Sequence, residues 1–544
     1  MKRLNALIFL YGIASCTAAF AQTAGPGVST VYYASKSGAK LDCNLSTGLQ
    51  IGTGGTCTNN DAVLNGILAQ ASATNPVTLI LDGPTITTGL VGPATGYWTI
   101  DCLNWSNGIY MAPGSNSHAI RNVAQQNGDA HSNATPGTPG QSVQIRNCYI
   151  NGNRGNGTTG NSNSGNPRQA ANGNWIYGIS IDNMQQVRIQ NVWLYNSPSF
   201  QLTLNACTDC EIAGFRSDEN FGSVDNIDGI HVDGPSAQIR IVDPRFVAND
   251  DSIALNAAEG YGGTIRDVSI SGSQCVSCLT ALRVLADEDG AATNAAVQNV
   301  TFTNGSGTIA DSSAQSNVFA LGYIHSNTAA TDIIQSVRIS NSTYTTTSSA
   351  ASFVLVSDNI GELSMNNVTW MSPAGAGPWL ALNSSSPTIG SYTCTACTIY
   401  RNTAGHAAAY WGLIPSGAAI GRIEMNGAAV VNQPGQTYSA LPYGWDVQSG
   451  GSIGTFVMTA LDPANNPVLL NGNEWSRIAS FYGAGVSTYY RNTTFANLPL
   501  AAYPGLQVSI GDSTTQTWGA AAVGGGSGYA QLTSDGTNWT VTGK

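Results

Sequence analysis

Two short motifs in this chain carry carboxylates at a spacing that suits acid–base chemistry. The first reads Asn226-Ile-Asp-Gly-Ile-His-Val; the second, 23 residues on, reads Asn249-Asp-Asp-Ser-Ile-Ala-Leu-Asn. Superposed, Asn226 falls on Asn249, Asp228 on Asp251, Ile230 on Ile253 and Val232 on Leu255. If the backbone makes one coil between them, matched residues sit one strand spacing apart, about 4.8 Å. Asp228 and Asp251 then stack on neighbouring strands with Asp250 beside them. Three carboxylates on one patch repel each other, so at least one keeps its proton to unusually high pH. A proton donor beside an ionised base is what cleavage of a glycosidic bond requires. One such motif alone would read as an ordinary Asn/Asp turn at a strand end. Two motifs one coil apart favour the chemistry.

The rest of the chain supplies the coils. A unit of the form apolar-x-apolar-x-Asn/Gly/Asp recurs, as in Val143-Gln-Ile-Arg-Asn, Val187-Arg-Ile-Gln-Asn, Ile239-Arg-Ile-Val-Asp, Val300-Thr-Phe-Thr-Asn and Leu363-Ser-Met-Asn-Asn. The central apolar residues fall at 145, 189, 212, 241, 270, 302, 339 and 365, at intervals of 44, 23, 29, 29, 32, 37 and 26. Two-residue alternation within units of this length predicts an all-β fold, a single-stranded right-handed parallel β-helix over residues 96–440. Ile189, Ile212, Ile241 and Ile270 stack inside it. The first interval is long because Gly152 to Gly173 is a Gly/Asn/Ser run, expected to be a flexible loop. A β-sandwich, the structural alternative, would show shorter and more even spacing.

Composition points the same way. Charged residues make up 9% of the 544, against roughly 25% in an average domain. With four lysines in all, the chain cannot clothe long helices. A net charge of −11 argues against nucleic acid or anionic lipid as partner. Residues 1–21 read as a signal peptide: Lys2-Arg3, an apolar run from Leu4 to Ile13, and Ala19-Phe20-Ala21 for cleavage. That implies a secreted or periplasmic protein. Ile13-Ala-Ser-Cys16 also resembles a lipobox, which offers lipid anchoring through Cys16 as an alternative. No later stretch is long and apolar enough to span a membrane.

Cleavage after Ala21 leaves ten cysteines, three pairs of them spaced C-x-x-C. In an oxidising compartment these read as disulfides or buried thiols rather than a zinc site, and neither metal nor cofactor is expected. Residues 22–95 form an N-terminal cap, with a short helix starting at Asn59 or Asn60 and a strand at Val77-Thr-Leu-Ile-Leu-Asp. Residues 441–484 hold the last coils, and 485–544 a small C-terminal β module. That module resembles the short C-terminal modules of phage tail and tail-fibre proteins. The resemblance implies trimerisation or surface attachment; a cap on the last coil is the plainer alternative.

Read with its motifs, the ladder resembles glycoside hydrolase family 28, the polygalacturonases and their relatives. Tyr149-Ile-Asn-Gly-Asn-Arg-Gly-Asn is similar to the family's I-D-G-x-G strand, and Asn196-Ser-Pro-Ser-Phe-Gln to its N-S-P-x-F/W-H segment. Asn226-Ile-Asp-Gly-Ile matches N-T-D-G-I, and Asn249-Asp-Asp-Ser-Ile-Ala-Leu matches G-D-D-C-I-A-I. The resemblance implies an inverting hydrolase with Asp251 as general acid and Asp228 with Asp250 activating water, their carboxyl groups about 6.5–9.5 Å apart. Asn226, Asn249, His231 and Arg283 are the candidate substrate contacts.

Two family motifs are missing. No histidine stands where G-H-G should fall, near Cys275 to Arg283, and no lysine between residues 41 and 543 can supply R-I-K. In the family that Arg/Lys pair holds the sugar carboxylate, and Arg283 is the nearest cation here. The related dextranase-like families share an N-D-D-A-I motif without G-H-G. The substrate expected is therefore a neutral or weakly charged polysaccharide. A lyase or epimerase on the same fold would need calcium or cationic groups to neutralise a uronate. A non-catalytic, phage-like glycan-binding surface protein is the remaining alternative.

Overall fold

The computed structural model describes residues 28–543, except for 123–134, 157–158, 220–225, 248–249, 287–294, 311–316, 323–332, 348–351, 373–376, 384–385, 402–410, 433–443, 460–476, 485–493 and 499–506. The expected signal peptide, Cys16 and Asn249 therefore lie outside the described residues.

Each coil contributes strands to three parallel ladders, which makes the molecule a parallel β-helix. In one coil the strands are Met184–Gln190, Trp193–Tyr195 and Leu202–Asn205; the ladders through them are called A, B and C. Ladder A carries the alternation legible in the sequence. Leu79, Ile100, Ile145, Ile189, Ile212, Ile241, Ile270, Phe302, Ile339 and Met365 pair each with the next. All are buried, and each such side chain removed from water stabilises the fold by roughly 1.5–3 kcal/mol. Every central residue from 145 to 365 stands in this one column.

The Asn that closes the repeat unit is a corner residue between ladders A and B. Asn147, Asn191, Asn304, Asn341 and Asn367 all take φ of 50 to 60°, and Gly214 and Gly272 occupy the same place at 63 and 71°. Asn tolerates this left-handed region because its short side chain bonds locally. Here it bonds its neighbour one coil away: Asn191 Nδ2 donates to Asn147 Oδ1, and Asn367 Nδ2 to Asn341 Oδ1, each at 3.0 Å.

The ladder reaches further toward the N-terminus than its sequence signature. The strand Val77–Ile80, placed in the cap above, pairs with Tyr97–Asp101 and is a rung of ladder A. The helix Asp61–Leu68 has Asn60 as N-cap residue, but the Asn60 side chain bonds Lys40 and Thr85 instead of the helix. At the other end Ser452–Thr459 pairs in parallel with Ile478–Ala484. Strands Gln507–Ser513, Gly528–Ser534 and Trp539–Gly543 form a separate antiparallel sheet. Five disulfides pair Cys43–Cys57, Cys102–Cys148, Cys207–Cys210, Cys275–Cys278 and Cys394–Cys397, so each C-x-x-C closes on itself and none is a metal ligand. Among the described residues no helix is long and apolar enough to cross a membrane.

The Gly/Asn/Ser run departs from expectation. Asn161 and Ser162 within it are fully buried. Asn161 Nδ2 donates to the Ser117 and Gly152 carbonyls, and Ser162 Oγ to the Asn166 carbonyl. Its polar side chains supply the bonds that fix it.

Candidate active site

Ladder C builds the site. Its strands begin at Ile120, Ile179, Leu202, Ile230, Ile253 and Leu282, and these residues stack in register. Two residues before each start stand His118, Tyr177, Phe200, Asp228, Asp251 and Thr280. The first three stack their rings 5.1 and 5.3 Å apart. At Asp228 the column changes from aromatic to acidic. Alternation alone would turn Asp228 and Asp251 inward with Ile230 and Ile253. Each instead precedes the regular part of its strand, Asp251 held there by an isolated parallel bridge to Thr280.

The backbone carries the ladder through this stretch. Gln201 N–H donates to the Asp228 carbonyl at 2.8 Å, and Gly229 N–H to that of Asp251 at 2.9 Å. Gly229 is the motif glycine, and a Cβ there would lie 2.2 Å from the Phe246 ring and 2.6 Å from the Ser252 carbonyl oxygen. We therefore expect Gly229→Ala to push the Asp228 turn off its neighbour. Its melting temperature should fall by several degrees, consistent with overpacking costs of about 1–3 kcal/mol. An unchanged melting curve would refute the close approach.

The three carboxylates converge as the doubled motif suggests. Their nearest oxygens all lie within 4.8 Å of one another. This is closer than the separation of about 6.5–9.5 Å expected of an inverting pair. The cause is the in-register stacking itself, which sets Asp228 and Asp251 one strand spacing apart. Asp228 and Asp251 are buried, at 4 and 5% exposure, while Asp250 is partly exposed. Asp250 Oδ2 accepts the Asn226 N–H at 2.7 Å, and Asn226, at φ 55°, aims that N–H into the turn.

Two basic side chains serve the trio. Arg283 Nε donates to Asp251 Oδ2 from the next coil, and both side chains are largely buried. His231 Nδ1 lies 2.7 Å from Asp228 Oδ2. Burial pushes Asp228 up to about 6; the Asp251 charge adds to this, while His231 and Arg283 hold it down. Burial, then the charges of Asp251 and Asp228, raises Asp250 well above the usual carboxylate range. Burial works against the Arg283 charge, but Asp251, Asp250 and Asp228 outweigh it and keep the guanidinium protonated.

Of the expected substrate contacts, it is His231 whose surroundings turn it away from a sugar. His231 is 1% exposed. Its Nε2 meets Glu259 Oε2 at 2.7 Å and Asp233 Oδ1 at 2.9 Å, so both ring nitrogens are engaged and neither is free for a sugar. Arg283 bonds Asp251 through its Nε. Asn226 accepts from Arg168 Nη1 at 3.0 Å through its side chain, which places Arg168 at the rim. The rings of Tyr177 and Tyr261, on either side of the carboxylates in the chain, are buried. Asp233, Glu259 and Arg168 were missed. Asp233 was findable, since alternation puts it on the same side of the strand as His231. Glu259 was not, because the register slips between Asp233 and Ser236.

By spacing, His231/Asp233/Glu259 and Asp228/Asp250/Asp251 could each hold a cation. In both trios a basic side chain, His231 or Arg283, already meets the carboxylates, and we assign neither to a metal.

Residues 126–278, which include both motifs, match the profile of glycosyl hydrolases family 28. No curated protein matches the chain in sequence. Among solved structures, a mutant tailspike protein of E. coli bacteriophage HK620 in complex with a hexasaccharide superposes at TM-score 0.52 and 12% identity, covering 91% of this chain and 83% of its own. Another mutant of that tailspike, in complex with a pentasaccharide, gives 0.51 at the same identity and coverage. A polygalacturonase from Erwinia carotovora ssp. carotovora matches at TM-score 0.42 and 13% identity over 70% of this chain and 92% of its own. The tailspike likeness shows a shared parallel β-helix. The central coils are family-28-like.

Proposed function

We propose that this protein is a glycoside hydrolase acting on a neutral or weakly charged polysaccharide, with Asp250 as proton donor and Asp228, beside Asp251, as the base. One observation carries the proposal: three carboxylates converge within 4.8 Å on a turn between two coils, and only Asp250 is partly exposed. Asp250, kept protonated by its burial and its neighbours, gives its proton to the leaving glycosidic oxygen as the bond to the anomeric carbon breaks. Asp228 takes a proton from water, and the hydroxide oxygen bonds that carbon. Asp251 is taken up by the Arg283 guanidinium, which exchanges the roles that the family resemblance assigns to Asp250 and Asp251.

The neutral substrate follows from charge. A polyuronate brings one negative charge per sugar and needs unpaired cations to meet it. At this site Arg283 is bound to Asp251, the family's lysine has no counterpart, and the further cation at the rim, Arg168, lies over the Trp175 ring and donates to Asn226. The secreted or periplasmic location expected from residues 1–21 suits such a substrate.

The test is reducing-end release from a panel of neutral glycans and from polygalacturonate, with the anomeric configuration of the first product read by NMR. Release from a neutral glycan with inversion is expected. Retention would favour a covalent intermediate on a buried carboxylate, which the short separation would suit. An unsaturated product would replace hydrolysis by elimination, and binding without any cleavage would defeat the hydrolase reading.

A further inference from the structure

One buried charge network at the site has no part in the mechanism so far. His231 lies with its ring 4.1 Å from that of Phe200, at the end of the aromatic column. Its Nδ1 faces Asp228, and its Nε2 faces Glu259 and Asp233. Glu259 comes from the next coil, and its other oxygen accepts Asn256 Nδ2 at 2.8 Å. His231, Asp233 and Glu259 are 1, 0 and 6% exposed.

We infer that Glu259 and Asp233 are positioning residues for Asp228: they hold the His231 imidazole protonated, and the imidazolium holds Asp228 as the carboxylate that receives the water's proton. The role assigned to Asp228 rests on the proposed hydrolase reading; the charge state of His231 does not. A buried imidazolium facing one carboxylate gains little by keeping its proton, because transfer within the pair would leave two neutral groups. Two further carboxylates at the opposite nitrogen make that transfer unfavourable, since a neutral imidazole could not answer both. Nδ1–H then remains a donor to Asp228 throughout the cycle. The charged groups around this path are Asp233 and Glu259 at His231, and Asp250, Asp251 and Arg283 at Asp228. Burial alone would strip the His231 proton, but Asp233, Glu259 and the Asp228 hydrogen bond outweigh it.

The test uses the full-length protein labelled with 15N-histidine. With five histidines in the chain, the ring signals can be assigned by His231→Gln. The His231 ring should stay protonated at least one to two pH units above the usual value of about 6.5. In Glu259→Gln it should titrate lower. Deprotonation near the ordinary value in the unaltered protein would overturn the inference, whether or not any glycan is cleaved. On a substrate that is cleaved, Glu259→Gln should move the acid limb of kcat/KM up by about one pH unit, leave KM within about twofold, and be partly rescued by Glu259→Asp. A variant that only lowers the melting temperature, with the acid limb unmoved, would reduce Glu259 to a structural role and sink the inference. Should Glu259→Gln fail to fold, Asp233→Asn takes its place with the same expected shift. A protein that cleaves nothing would remove the hydrolase reading, and the ring titration would still decide the charge of His231.

Discussion

Asp250→Asn should leave the protein folded and lower kcat by about 10²–10⁴-fold, the range that loss of a general acid produces. The amide keeps an oxygen to accept the Asn226 N–H, so the turn has no reason to open. What it lacks is a proton to give. Asp228→Asn should reduce activity comparably through loss of the base, whereas Asp251→Asn should reduce activity and stability together, since it leaves the buried Arg283 without its carboxylate. This difference separates the roles. The pH profile adds a sign. Asp228 must be ionised, so activity should rise as pH climbs through about 6. Asp250 must be protonated, so activity should fall once pH passes its raised range. The curve is then a bell whose limbs belong to the carboxylate set as a whole. Stability gives an independent check. A carboxyl whose folded pKa is raised favours the folded state below its unfolded value and loses that advantage as pH rises through the folded one. Asp250→Asn should therefore melt no lower than the unaltered protein at pH 7. A variant that retains full activity, or one that unfolds, would show that Asp250 has been given the wrong task.

How much of this was legible in the sequence depends on the kind of physics that fixes each part. Ladder A was readable because an inward column leaves a period-two trace, and its Asn corners because few other residues accept a positive φ there. The pairing of Ile230 with Ile253 and Val232 with Leu255 followed from the doubled motif. The gathering of Asp228, Asp250 and Asp251 followed from the same repeat. Their separation did not, because it depends on side chains that precede the regular part of their strands. His231 misled for a related reason. Its strand position faces outward, which reads as available to substrate, yet Phe200, Asp233 and Glu259 surround it. The Gly/Asn/Ser run read as loose because composition records the lack of apolar residues and not the hydrogen bonds that replace them.

Ile241→Asp should abolish soluble expression or unfold the protein, the second of the two large effects. Ile241 is fully buried and pairs with Ile212 on one coil and Ile270 on the next, both fully buried as well. A carboxylate there has apolar side chains above and below it. An unpaired buried charge costs several kcal/mol, to which the lost transfer energy of the isoleucine adds roughly 1.5–3 kcal/mol. Whole domains are stable by only about 5–15 kcal/mol. A coil contacts only its neighbours, so the damage should open the solenoid locally around residue 241 and then spread. The two coils nearest it carry the Asp228 turn and the Asp251 turn, so activity should disappear even in a preparation that remains partly folded. Ile241→Val is the control: it trims one methylene, should cost about 0.5–1.5 kcal/mol, and should keep the site intact. Circular dichroism with thermal melting, run beside the hydrolysis assay, reads both. A soluble Ile241→Asp protein melting at the unaltered temperature would mean that residue 241 faces water, and the whole of ladder A would have to be re-registered by one residue.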